Sequence, residues 1–194
     1  LMSPFKDILL LKKKKYLTYS GWIIALLFIS AFVYSYTIWL NNVKIVSDNA
    51  SVVCQSIANA LNGSSLKTII AESSETNSFE VRDIKNRLIN VKKSNKVFSR
   101  IYILKMEKGS PVVITDSEMP QSPLYQEPMS PPDNFDIYFT EALNTNQLHV
   151  CNINNQKKDS LISIAVPLNH NSPYNALLVF DYEQHEWIRL ALIA

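Results

Sequence analysis

Glycine is scarce in this chain of 194 residues and occurs only at Gly21, Gly63 and Gly109. A loop that cradles phosphate needs several closely spaced glycines, because its backbone must approach the phosphate oxygens. The three glycines lie far apart, so the sequence excludes the glycine-rich nucleotide-binding motifs.

Histidine is equally scarce, and the three residues are His149, His170 and His185. Their spacings match no metal-binding motif and no catalytic triad. Glu183 and Glu186 flank His185 and could suggest metal ligands, but no further patterned ligand accompanies them, so we prefer a solvated turn. We therefore predict no catalytic residue, no metal site, no cofactor and no enzyme activity for this chain.

Charge is low overall, with 19% charged residues and a net charge of +2, but it is unevenly distributed. Residues 1–40 contain five lysines and one aspartate, a net charge of +4, whereas the other residues carry a net charge of −2. A nucleic-acid-binding protein needs basic residues spread over a folded face. Here they cluster beside an apolar run, so we predict no nucleic-acid binding.

That apolar run extends from Gly21 to Leu40 without a charged residue. A helix of this length reaches roughly 30 Å, which is the thickness of the hydrocarbon core of a bilayer. Trp22 and Trp39 lie at its ends, where aromatic side chains prefer the headgroup level. A cleaved signal peptide has a shorter apolar region followed at once by small residues, and a soluble core rarely contains such a stretch. We therefore predict a transmembrane helix at residues 21–41.

The direction of this helix follows from the lysines at 12–15, which place the basic segment 1–20 in the cytoplasm by the positive-inside rule. A nuclear or nucleic-acid signal would be less economical beside a membrane helix. Residues 187–194 are apolar except for Arg189, near the expected interface, and resemble the start of a second crossing. We therefore expect an extracytoplasmic domain at residues 42–186, in a chain that is part of a longer protein.

Helices are predicted first within this domain. An apolar stripe from Val43 to Leu61 recurs at helical spacing, so the membrane helix is expected to continue outward. Gly63 would end it, and Ser64 and Ser65 could cap a short helix ending near Ile70. A further amphipathic helix is predicted from Phe79 to Val91.

Strands are predicted in the second half of the domain. The segments 100–106 and 112–116 are joined by a turn and read as a hairpin, and the segment 117–135, with five prolines, reads as a long loop. A short helix at 136–144 and strands at 147–153, 160–168 and 176–182 follow. The predicted fold is α+β: a transmembrane helix that continues into a long N-terminal helix, then a five-stranded antiparallel sheet.

Several segments resemble one family. Arg100–Leu104, Ile114–Pro120 and Ser122–Tyr125 are similar to a region of the input domains of bacterial sensor histidine kinases and diguanylate cyclases, and Ser163–Leu168 and Val179–Trp187 match its later strands. The chain thus resembles the PAS-like Cache sensor domains over roughly residues 42–190. One departure is clear: relatives often have a Trp-Gly-x-Trp cluster where this chain has residues 157–161, Lys-Lys-Asp-Ser-Leu.

The resemblance implies a ligand site between the sheet and the long loop. It assigns six candidate ligand-binding residues: Arg100, Tyr102, Asp116, Ser117, Tyr125 and Asp181. Arg100 could hold a carboxylate, and either aspartate could hold an amine. The structural alternatives are that Arg100 is a solvated charge at the edge of a strand, and that Asp116 and Asp181 cap the following turn and helix.

The resemblance also implies function and location. It indicates the small-molecule-sensing input region of a receptor in the bacterial inner membrane, homodimeric through the N-terminal helix, with a histidine kinase or diguanylate cyclase as output. The alternatives are a chemotaxis-type receptor, or a membrane-anchored periplasmic interaction or assembly domain without a small ligand. Cys54 and Cys151 could form a disulfide in that compartment, or could remain buried thiols.

Overall fold

The computed structural model describes residues 4–61, 79–107, 109–132, 137–153, 161–168 and 176–194. The first helix, α1, spans Pro4–Leu61 without a break, so the prediction that the apolar helix continues is confirmed. Within the described ranges, its segment Tyr19–Leu61 is the one helix long and apolar enough to cross a membrane. The short helix predicted to end near Ile70 lies outside the described residues.

The chain divides into two units, Leu1–Lys44 and Ile45–Ala194. The first unit consists of the N-terminal part of α1, and no residue of its most apolar window is buried. The second unit contains the end of α1 and the remaining elements. All of the candidate ligand-binding residues belong to the second unit.

Helix α2 spans Phe79–Ser94, close to the predicted bounds. Its buried residues Val81, Ile84 and Leu88 recur at intervals of three and four, which places them on one face of the helix. This helix packs along the first two strands, β1 (Phe98–Glu107) and β2 (Ser110–Asp116). The strands form the predicted hairpin, and Gly109 adopts φ +82° in its turn, a conformation that glycine adopts without strain.

The remaining elements also agree with the prediction to within a few residues. They are α3 (Ile137–Thr145), β3 (His149–Ile153), β4 (Leu161–Leu168) and β5 (Ala176–Glu183). The last helix, α4 (Gln184–Ile193), contains the segment expected to begin a second crossing, and that crossing stays a prediction. The sheet is antiparallel, with the strand order β2-β1-β5-β4-β3. All residues of β5 except the last are buried, as expected for a central strand covered on both faces.

The two faces of the sheet have different coverings. On one face, Phe139 and Ala142 of α3 pack against Tyr102, Leu104 and Val179 and other apolar residues of the strands. On the other face, the Phe98, Phe180 and Tyr182 rings form a cluster that the Trp187 ring of α4 joins. Because side chains alternate along β1 and β5, one set contacts α3 on the first face and the other set forms the aromatic cluster on the second face.

Candidate ligand-binding site

An ion pair lies at the centre of the first face. Arg100 of β1 is directly opposite Asp181 of β5 in the register. Its Nε and Nη2 atoms donate to Asp181 Oδ2 over 3.2 and 3.0 Å, and the Ser163 hydroxyl donates to Oδ1 over 2.6 Å. Arg100 is 4% exposed and Asp181 is 1% exposed. The carboxylate is therefore both neutralised and hydrogen-bonded, as a buried charge requires.

Burial and partner charges act in opposite directions on this pair. Burial lowers the pKa of Arg100, but the charge and hydrogen bond of Asp181, together with Tyr102 and Asp116, outweigh burial and raise that pKa above its ordinary value. Burial raises the pKa of Asp181, against the lowering effects of Arg100 and of the Ser163 hydroxyl. The Arg100 guanidinium stays charged, because arginine does not give up its proton in proteins. Asp181 must therefore be an ionised carboxylate if the Arg100 charge is to be paired.

Tyr102 extends the site beside the ion pair. The Arg100 guanidinium carbon lies 4.2 Å from the centre of the Tyr102 ring, which is a cation–π arrangement. The ring is fully buried, and the Arg100 guanidinium is the group within reach of its hydroxyl oxygen. Burial and then the Asp181 charge raise the pKa of Tyr102 well above its ordinary value. The hydroxyl is therefore a neutral donor or acceptor.

Asp116, at the end of β2, organises the long loop. Its Oδ1 accepts the backbone N–H of Glu118 over 3.1 Å, and its Oδ2 accepts that of Gln126 over 2.9 Å. The Lys85 ammonium donates to Oδ1 over 3.2 Å and lies 4.9 Å from the centre of the Tyr125 ring. Asp116 therefore caps the following turn, as the structural alternative predicted, and it connects the turn to α2.

Ser117 follows β2 directly and lies at the end of the pairing between β1 and β2. Its hydroxyl accepts the Ile101 N–H over 3.0 Å and donates to Glu118 Oε1 over 3.4 Å, and its own N–H donates to the Ile101 carbonyl. Both roles of the hydroxyl are thus used inside the protein. Ser117 fixes the point where the loop leaves the sheet.

The loop that follows is held at several points, although it contains no helix or strand between residues 117 and 132. The Leu124 carbonyl accepts Arg100 Nη1 over 3.2 Å. Glu118 pairs with Lys92 of α2 and accepts the Ser122 hydroxyl. Further along, backbone bonds join Val113 of β2 to the segment 129–130. The loop is therefore part of the packed structure over β1 and β2.

The structure assembles the six predicted residues into two connected groups. Arg100, Tyr102 and Asp181 contact one another, while Asp116, Ser117 and Tyr125 belong to the network that holds the loop. The interpretation of Arg100 as a solvated edge charge is wrong, because Arg100 is buried. The capping role of Asp181 is also wrong: Glu183 caps α4, without a side-chain hydrogen bond. Contact of the six residues with a ligand remains a prediction.

Sequence reasoning missed other polar members of the site. They are Lys85, Glu118, Gln126 and Ser163. Lys85 and Glu118 give no signal in the sequence, because their ion-pair partners, Asp116 and Lys92, come from other elements of the chain. Ser163 lies among apolar residues in β4, and this apolar context is the sequence signal that could have indicated a buried position.

The two cysteines are buried thiols and do not form a disulfide. The Cys54 sulfur lies 3.5 Å from the Tyr182 hydroxyl, on the face that contacts α1. Cys151 belongs to the cluster beneath α3, on the other face. The sheet therefore separates the two residues. Burial raises the pKa of Cys54 to about 12, although its contact with Tyr182 acts in the lowering direction.

Comparison with solved structures identifies the fold. The ligand-binding domain of the Pseudomonas aeruginosa PAO1 amino-acid chemoreceptor PctC, in complex with GABA, matches with a TM-score of 0.51 at 13% identity. That match covers 80% of this chain and 63% of that chain. The ligand-binding domain of the Campylobacter jejuni chemoreceptor Tlp3, in complex with 4-methylisoleucine, matches with a TM-score of 0.50 at 18% identity, covering 79% and 58%.

These two matches show that the chain has the fold of bacterial chemoreceptor sensor domains, as the PAS-like Cache resemblance implied. The chain spans about three fifths of the length of each solved structure. No protein-family model matches the sequence, and no curated protein matches it.

Proposed function

We propose that this chain is the extracytoplasmic input region of a bacterial transmembrane signalling receptor and that it senses a small molecule. The observation that carries the proposal is the buried polar cluster around Arg100 and Asp181. The long loop is hydrogen-bonded to this cluster through Leu124, and the fold is shared with ligand-binding domains. The two similar solved domains are complexes with GABA and 4-methylisoleucine, so small amino-acid-like molecules are the class of ligand to test first.

The proposed topology follows from charge and hydropathy. Residues 1–20 lie in the cytoplasm and residues 21–41 cross the inner membrane. Residues 42–186 form the sensor domain, and residues 187–194 begin a second crossing. The four consecutive lysines at 12–15 and the mean hydropathy of 2.1 in the apolar part of α1 support this arrangement.

The proposed signalling route uses the helices that flank the sensor domain. Asp181 lies in the polar cluster, and α4 begins three residues later at Gln184. A ligand that binds two conformations with different affinities would shift the position of β5 and hence of α4. The output in the same polypeptide would be a histidine kinase or a diguanylate cyclase.

A homodimer through the end of α1 is part of the proposal. Ile45 and Val52 are seven residues apart, which places them on one side of the helix, and they are 46% and 65% exposed. Exposed apolar side chains at this spacing are typical of a helix that packs against a second copy.

A chemotaxis-type receptor is the second candidate, because both solved structures described above are chemoreceptor domains. It differs from the first candidate only in the cytoplasmic domain, so a methyl-accepting domain in the full polypeptide would identify it. A membrane-anchored interaction domain is the third, and it predicts that no small molecule binds.

The test is a thermal-shift screen of the chain in lipid nanodiscs against amino acids, carboxylates and amines. A compound present at a hundred times its dissociation constant stabilises the folded state by about 2.7 kcal/mol, which raises the midpoint by several degrees. Stabilisation that is lost in Arg100→Ala, Asp116→Ala or Asp181→Ala supports a role in the site for the residue that is substituted. Absence of stabilisation across the panel would favour the interaction domain.

A further inference from the structure

Two cavities of the sensor domain share Phe98 in their linings, and neither Arg100 nor Asp181 lines them. The first cavity, of about 410 Å³, lies between the end of α1, the start of β1 and α4. The second, of about 430 Å³, lies between the end of α2 and the first residues of the long loop. Both volumes fall in the range typical of ligand sites, roughly 300–1,000 Å³.

The first cavity is mainly apolar and lies where the two flanking helices join the sensor domain. Its wall includes Val46, Ala50, Val53, Phe98, Leu190 and Ile193. Val46 is the fifth residue after the proposed membrane span at 21–41, and the two α4 residues belong to the segment proposed to begin the second crossing. An apolar cavity that is open to water favours an apolar occupant. At this position along the chain, the hydrocarbon chains of the bilayer are available to fill it.

The second cavity is basic. Lys92, Lys93 and Lys96 line one side of it, and Glu118 lies on the other. Lys92 is paired with Glu118, whereas the other two lysines have no ion-pair partner among the described residues. Two positive charges are therefore available to an anion. A lysine close to an anionic lipid raises its affinity roughly fivefold.

The segment 95–98 connects the two cavities. Asn95 and Val97 line the apolar cavity, Lys96 lines the basic one, and Phe98 lines both. A small soluble anion would leave the apolar cavity unfilled, and a lipid without net charge would leave the two lysines without a counter-ion. A molecule with an anionic head and a hydrocarbon chain matches both cavities.

We propose that one anionic phospholipid of the surrounding bilayer occupies both cavities, with its phosphate beside Lys93 and Lys96 and part of an acyl chain between α1 and α4. The inference rests on the membrane topology proposed above, but not on the ligand site around Arg100 and Asp181. Because the acyl chain lies between the flanking helices, the lipid composition of the bilayer would bias their positions independently of a sensed ligand.

The experiment places the full chain in nanodiscs of phosphatidylcholine with an increasing fraction of phosphatidylglycerol. The midpoint of thermal unfolding measures binding, and native mass spectrometry counts the lipids that each protomer retains. The test variants are Lys93→Gln/Lys96→Gln, which removes the two free charges, and Ala50→Phe, which fills the apolar cavity. The control is Arg82→Gln/Arg87→Gln, because it removes two exposed charges near the other end of the same helix.

We expect phosphatidylglycerol to raise the midpoint of the wild type and of the arginine control by the same amount. Lys93→Gln/Lys96→Gln should bind this lipid about 25-fold more weakly, and Lys93→Arg/Lys96→Arg should bind it as the wild type does. Ala50→Phe should retain no phosphatidylglycerol. The two lysines are exposed, so their variants fold and test the headgroup contact even if Ala50→Phe does not fold.

Four outcomes would overturn the inference and leave the proposed sensing function intact. Equal weakening in the arginine control would indicate a general attraction to the anionic surface. Equal stabilisation by inorganic phosphate, in nanodiscs of phosphatidylcholine alone, would indicate a site for a soluble anion. Full retention of phosphatidylglycerol by Ala50→Phe would place the acyl chain elsewhere. Loss of the dimer in Ala50→Phe would show that a second copy fills the apolar cavity.

Discussion

Asp181 and Tyr182 are adjacent in β5 and face opposite sides of the sheet. Asp181 binds Arg100 and Ser163 in the polar cluster. The Tyr182 hydroxyl lies 3.5 Å from the Cys54 sulfur of α1, and its ring centre lies 5.2 Å from that of Trp187 in α4. One central strand thus joins the candidate ligand site on one face to both flanking helices on the other.

The buried ion pair should be important for stability. Asp181→Asn leaves the Arg100 charge buried without a counter-ion, and we expect a loss of about 3–5 kcal/mol in the free energy of unfolding. Urea denaturation followed by circular dichroism measures it. The control is Asp83→Asn at the exposed pair between Asp83 and Arg87 on α2, which should cost less than about 0.5 kcal/mol. Equal effects of the two variants would contradict a charged, buried pair.

The Glu118 carboxylate should make stability depend on pH. Burial raises its pKa, but the hydrogen bonds from Lys92, Ser122 and Ser117 and the charge of Lys92 together outweigh burial, so the folded-state pKa lies below the ordinary value of 4.5. The unfolded chain therefore takes up the proton first as the pH falls. We expect the wild type to be more stable than Glu118→Gln above pH 4.5, and the difference to disappear at lower pH. A difference that stays constant from pH 7 to pH 3 would show that the charge contributes nothing.

Both cysteines should resist thiol reagents in the folded chain. Cys54 and Cys151 are buried, and the pKa of Cys54 is raised to about 12, so little reactive thiolate forms at neutral pH. Reaction with 5,5′-dithiobis(2-nitrobenzoate) should be slow in buffer and should release two equivalents in urea without reductant. Met119→Cys is the positive control, since Met119 is exposed on the long loop. Release of no thiol in urea would indicate a disulfide.

This protection permits a direct test of topology in intact cells. A membrane-impermeant maleimide should label Met119→Cys, which lies on an exposed part of the loop. It should label Ser3→Cys only after the cells are opened, because the lysines at 12–15 retain the N-terminal segment in the cytoplasm. The reverse pattern would mean that the sensor domain is cytoplasmic.

The proposed dimer predicts that a charge introduced at Val52 of α1 weakens dimerisation. Val52→Asp places a charge in the contact between two copies. The dimer of this variant should therefore dissociate at a higher protein concentration than the wild type, while the unfolding midpoint changes little. Analytical ultracentrifugation in detergent measures it. Asn90→Asp adds the same charge at an exposed position of α2, outside α1, and it should leave the dimer intact. A wild-type chain that is monomeric throughout would contradict the dimer.

Local patterns predicted most of the elements in the described part of the chain. The spacing of Val81, Ile84 and Leu88 predicted α2, and the turn around Gly109 predicted the β1–β2 hairpin, because helical and strand periodicities are written directly in the sequence. The ends were less accurate. β5 continues to Glu183, since pairing with β4 extends it beyond its apolar residues.

The sequence by itself determined the apolar span, the lysine run beside it and the helix-then-sheet order, because each depends on neighbouring residues alone. Only the tertiary structure decided that Arg100 and Asp181 neutralise each other, that the sheet separates Cys54 from Cys151, and that the Gln126 amide is buried without a hydrogen-bond partner among the described residues. Those relationships depend on strand register and on how a loop packs, and they join residues far apart in the chain.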